Sequence, residues 1–215
     1  MLNYFTFNTT SEMVCLLFSI ICLSQDKNMM WRYFMLYLLI TLCAELAGIH
    51  LKRQHSNNQW IYNLLMIPDC IFISAIFYSL LEKPYKVIVG FTVLILIMYA
   101  YETMHHGIMS FNNTTNSLMA VIFVFWSLWY FYLLLKNDKY SRLAFYSDFW
   151  WVAGVLFFYF GNTAVNLFRG KLHFMITPKH FLTYYIYNIL NILLYGCWSY
   201  SFICRRWLTT SKSLS

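Results

Sequence analysis

"WRYFMLYLLITLCAELAGIHL", residues 31–51, carries just two charged side chains, Arg32 and Glu45. Coiled as a helix at about 1.5 Å per residue, such a stretch is roughly 30 Å long, the thickness of a bilayer's hydrocarbon. Apolar runs of similar length recur at 4–24, 60–81, 86–104, 116–135, 148–168 and 181–204. The pattern predicts an all-α integral membrane protein, a bundle of seven transmembrane helices. Short polar connectors such as "KRQHSNN" (52–58) and "KNDKYSR" (136–142) separate the runs. They leave no room for a water-soluble domain, so residues 1–215 are read as a single seven-helix domain.

Composition agrees with this. Hydrophobic residues make up 60% of the chain and charged residues 11%, against about 45–50% and about 25% in ordinary soluble domains. Fifteen Lys and Arg and eight Asp and Glu cannot cover a surface of this size, so lipid is expected to cover the rest. The first run could be mistaken for a signal peptide, but no basic residue precedes Lys27 and "CLSQDK" is a poor cleavage site.

Basic residues orient the bundle, because basic loops stay cytoplasmic. Lys27, Arg32, Lys83, Lys86, Lys136, Lys139, Arg142, Arg205, Arg206 and Lys212 fall on one side; Lys52, Arg53, Arg169, Lys171 and Lys179 fall on the other. The amino end is therefore expected outside and the carboxyl end in the cytoplasm. A net charge of +7 scattered over helix ends does not form the basic face that nucleic acid requires. Cys15, Cys22, Cys43, Cys70, Cys197 and Cys204 all lie inside apolar runs with no C-x-x-C pair. They read as packing residues, and no cofactor is expected.

Polar residues inside spanning helices are costly and turn toward the bundle or a cavity. Helical spacing gathers them into stripes: Tyr37, Thr41, Glu45, Gly48 and Lys52 in the second run; Tyr159, Asn162, Asn166 and Arg169 in the sixth; Tyr184, Asn188, Asn191, Tyr195 and Trp198 in the seventh. A weaker stripe in the first run holds Glu12, Cys15, Ser19 and Cys22. The candidate ligand-binding or polar-core residues are Glu45, Asn63, Asp69, Tyr159, Asn162, Asn166, Asn188, Asn191 and Tyr195. A charged carboxylate at mid-membrane costs about 2.5–3.5 kcal/mol on insertion scales, which favours a functional role for Glu45. The inward stripes predict that Glu45 meets Asn188 or Asn191, directly or through one water. Asp69 follows Pro68 and reads equally as a site or as a structural acceptor for Asn63, a tyrosine or a neighbouring helix.

All six histidines (His50, His55, His105, His106, His173 and His180) fall on the outer side of this topology. In "YETMHHG" (101–107), Glu102 and His105 share a helix face and are expected to share a proton or an ion. Glu102, His105, His106 and His50 thus form a candidate outer mouth, with proton sensing or no special role ranked above metal binding.

Gly-rich phosphate loops, G-x-S-x-G and H-E-x-x-H are absent from the sequence, as is a central lysine in the seventh run for a retinal Schiff base. The motifs "AELAG" (44–48), "NNQWIYNLLMIPDCIF" (57–72), "FWWVAGVLFFYFGN" (149–162) and "YYIYNILNILLYG" (184–196) resemble those of a family of small seven-helix membrane proteins widespread in Bacteroidota. Its members in turn resemble the seven-helix sensor modules that accompany bacterial histidine kinases. The matching residues are Glu45, Trp60, Asn63, Pro68, Gly154, Tyr159, Gly161, Asn188 and Asn191. The resemblance implies a receptor-like role in a bacterial inner membrane.

The expected function is thus a sensory or ligand-binding module surrounded by membrane lipids and signalling through a partner such as a histidine kinase. The alternatives are a small transporter or channel, and a membrane-embedded metal-dependent lipid hydrolase using Glu45, Asp69 and the outer histidines. The basic tail "CRRWLTTSKSLS" (204–215) provides a test. A cysteine placed in it should stay unlabelled by an impermeant thiol reagent in intact cells, and labelling there would invert the topology.

Overall fold

The computed structural model describes residues 6–81, 85–136, 143–168, 172, 175–177 and 180–213. Lys83, Lys139, Arg142, Arg169, Lys171, His173 and Lys179 lie outside these residues, and His180 is described by its backbone alone. Seven helices are present among the described residues: α1 (Phe7–Leu23), α2 (Met29–Arg53), α3 (Gln59–Leu80), α4 (Tyr85–His106), α5 (Asn113–Lys136), α6 (Ser147–Leu167) and α7 (Leu182–Ser213). A 3-10 turn, Leu143–Phe145, leads into α6. A small antiparallel hairpin, Met175–Thr177 against His180–Phe181, precedes α7; helical periodicity gave no sign of it.

Capping explains where several helices begin and end. The Thr6 hydroxyl accepts the Thr9 N–H at 3.1 Å and starts α1, and Asn28 accepts the Met30 N–H at 3.0 Å and starts α2. α3 runs unbroken through Pro68. α7 continues well beyond its apolar run, to Ser213.

α2, α3, α4 and α5 are each long and apolar enough to cross a membrane. The shorter α1 shows the same chemistry inside out. Thr9, Glu12, Cys15 and Ser19 are buried, whereas Val14, Leu17, Phe18, Ile20 and Ile21 are exposed. Water would select the reverse arrangement.

The helices close into a ring in which α1 packs on α2 and α7, α2 on α3, α5 on α6 and α6 on α7. α3 also touches α5, and α4 lies against both. α4 buries Ile88, Ile95 and Glu102, a single line at seven-residue intervals, as befits a helix on the outside of the ring. Asn57 Nδ2 donates to the Met109 carbonyl at 2.6 Å, joining the α2–α3 and α4–α5 connectors at one end. At the other end Arg205 of α7 pairs with Asp26 beyond α1, and Arg206 donates to the Ile21 carbonyl. The Arg205 guanidinium also lies 4.5 Å from the Trp31 ring.

The half of the bundle nearer this ion pair is filled with aromatic rings. Phe34 contacts Trp198, Phe202 and Phe72 edge to face at 4.9–5.0 Å, and Trp151 stacks parallel to Trp198 at 6.1 Å. Gly154 lets α6 and α7 approach this closely: a Cβ there would lie 3.0 Å from the Cys197 Cβ and 3.2 Å from the Leu194 carbonyl. Backbone cannot swing aside as a side chain can. Gly154→Leu should therefore push the helices apart and destabilise the fold by about 1–3 kcal/mol, measurable as a lower thermal unfolding midpoint in detergent.

Candidate functional site

Above the aromatic half, the inward stripes enclose a cavity of about 610 Å³, within the range of about 300–1,000 Å³ usual for small-molecule sites. Every helix except α4 contributes to its wall, and Trp198 and Tyr37 lie at its deep end. Tyr37 stacks on Phe72 at 4.3 Å. Phe34, Phe77, Trp151 and Phe202, at most 0% exposed, pack closely in this half of the bundle.

Three carboxyl groups line the cavity, each held by a tyrosine hydroxyl from another helix. Tyr195 of α7 donates to Glu12 Oε1 at 3.0 Å, Tyr62 of α3 to Glu45 Oε2 at 3.2 Å, and Tyr37 of α2 to Asp69 Oδ1 at 2.9 Å. Gly48 makes room for the second pair, because a Cβ there would lie 2.6 Å from the Tyr62 hydroxyl oxygen. Glu12, Glu45 and Asp69 all line this one cavity. Among the described residues lining the cavity there is no Lys, Arg or His.

Asn162 and Asn166 of α6 also face the cavity. Tyr187 donates to Asn162 Oδ1 at 3.1 Å, and longer contacts of 3.4–3.5 Å tie the two asparagines to each other, to Asn116 and to Ser117. Tyr159 lines the same wall, buried against Phe123 at 4.9 Å. Asn191 lines it too, with its amide donating to the Tyr187 carbonyl at 3.0 Å.

Other sequence candidates lie elsewhere. Asn63 is fully buried and serves the α4–α5 connector: Nδ2 donates to the Ile108 and Ser110 carbonyls at 2.8 and 2.6 Å, and Oδ1 accepts the Asn112 N–H at 3.0 Å. Asn188 is buried outside the cavity lining, with Oδ1 unpartnered. Glu45 and Asn191 line the same cavity, where the Glu45 carboxyl accepts the Tyr62 hydroxyl. Glu12, on the weakest stripe, is the carboxylate that reaches α7.

At the end of the bundle that carries the α2–α3 and α4–α5 connectors, Glu102 turns from the histidines toward the start of α5. Oε1 accepts the Thr114 N–H at 3.0 Å; Oε2 accepts the Thr115 N–H at 2.8 Å and its hydroxyl at 2.7 Å. A carboxylate there satisfies two open N–H groups and faces the positive end of the helix dipole. It also explains why α5 begins at Asn113, ahead of the apolar run. His105 is exposed, its ring 4.4 Å from Tyr101, and His106 is exposed beside it. His50, also exposed, meets the Gln54 amide at 3.1 Å. Among the described residues no three His, Cys, Asp or Glu side chains gather as a metal-binding set.

Sequence reasoning left Glu12, Tyr37, Tyr62 and Tyr187 out of the candidate site. Tyr62, Leu65, Met66 and Asp69 do share a helical face of α3, a stripe that could have been read. No protein-family model, curated protein or solved structure matches the chain.

Glu102 and the two histidines separate on substitution. Glu102→Ala should destabilise the protein by about 1–3 kcal/mol by stranding the α5 N–H groups. His105→Gln/His106→Gln should stay within about 0.5 kcal/mol of the parent. Thermal unfolding of both variants in detergent checks this.

Proposed function

We propose that all seven helices span the membrane, amino end outside, and that the protein is a sensory or ligand-binding module acting through a partner protein. The observation supporting this is the form of the cavity: polar groups line it, yet it ends on Trp198 and Tyr37 above a packed aromatic half. A chamber closed at one end suits a ligand that enters and is held, whereas a channel needs a continuous polar path. α1 supports the seven-span reading because its polar stripe faces inward and its apolar stripe outward. The resemblance to kinase-associated sensor modules makes a histidine kinase the proposed partner and a bacterial inner membrane the proposed setting.

The transporter alternative would require the aromatic half to reopen. The hydrolase alternative lacks a gathered set of metal donors among the described residues. Single cysteines in a cysteine-free background distinguish a closed chamber from a path. Leu65→Cys, in the cavity wall, should react with a charged thiol reagent from outside only, and Ile76→Cys, buried in α3, from neither side. Labelling of Leu65→Cys from the cytoplasmic side would favour a transporter or channel.

A further inference from the structure

The ligand-binding reading leaves the ligand's chemistry open, and the unpartnered groups in the wall bear on it. Glu12 is 6% exposed and lines the cavity; its Oε1 is held by Tyr195 and its Oε2 has no hydrogen-bond partner. One turn earlier on α1, Asn8 Oδ1 is likewise buried in the cavity wall and unpartnered. Asn8 Oδ1 is an acceptor, and so is Glu12 Oε2 when the carboxyl is ionised, so an occupant that satisfies both donates hydrogen bonds.

Charge points the same way. Glu12 shares the cavity with Glu45 and Asp69, and carboxylates sharing one site cannot all ionise unless a positive charge joins them. Among the described residues lining the cavity none is cationic, so that charge has to come from an occupant. A bare metal ion would need three or four converging donors. The walls instead include aromatic side chains, among them Tyr37, Tyr159, Tyr195 and Trp198, and aromatic rings attract organic cations.

On the ligand-binding reading, we propose that the cavity binds an organic ammonium with an apolar body, its N–H groups on Glu12 Oε2 and Asn8 Oδ1 and its body against the tyrosine and tryptophan rings. Asp69 contributes the second negative charge. A cavity of about 610 Å³ admits such a molecule whole.

Calorimetric titration of the full chain in neutral detergent, against protein-free micelles, tests this with phenethylammonium and its neutral isostere phenethyl alcohol. The ammonium should bind at least about tenfold more tightly than the alcohol. Glu12→Gln, which keeps an acceptor for Tyr195, should weaken the ammonium by about tenfold and leave the alcohol unchanged. Asp69→Asn should act in the same direction and serves should Glu12→Gln fail to fold. Equal binding of the two probes, or ammonium binding indifferent to both variants, overturns the cation assignment and leaves the ligand-binding reading standing. Binding of neither probe overturns the cation assignment. That result together with an unreactive Leu65→Cys overturns the ligand-binding reading as well.

Discussion

The architecture depends on the seam between the first and last helices. Tyr195 reaches Glu12 across 183 residues of chain, and Arg205 reaches Asp26 across 179. These contacts hold α1 to α7 at two levels and close the ring; without them the inward stripes of α2, α6 and α7 would line an open groove. Closing so distant a pair costs chain entropy that grows only slowly with separation. A hydrogen bond inside the bundle and an ion pair backed by the Trp31 ring are suited to offset it.

Polar and aromatic chemistry divide the bundle along its axis. Toward one end three carboxyl groups are each bridged to a tyrosine on another helix. Such bridges satisfy a buried acceptor and register two helices against each other. Toward the other end aromatic rings interlock. A deep chamber with a firm floor follows from this division, and so does the grouping of acceptors around it.

Identical residue types take opposite roles in this arrangement. Asn63 is consumed by three bonds to a connector, while Asn191 faces the cavity. Glu102 caps α5 with both oxygens, while Glu12 keeps one oxygen unpartnered. A carboxylate or an asparagine in an apolar run signals that something inside the bundle must satisfy it. Whether backbone, a neighbouring helix or a ligand does so depends on what stands opposite.

The helices were legible in the sequence because apolar length and helical spacing are local properties, set by rise per residue and by the cost of exposing polar groups. The inward placement of Tyr37, Thr41, Asn162, Asn166 and Tyr195 follows from that spacing alone. Which carboxylate meets α7 was decided only by tertiary structure. Glu12 and Glu45 look alike along the chain, and the choice between them depends on how α1 seats against α7. The capping role of Glu102 was hidden for the same reason: its partners, Thr114 and Thr115, lie on the next helix, and only the turn between α4 and α5 brings their N–H groups to it. The hairpin before α7 depends likewise on pairing between strands that no single run of residues specifies.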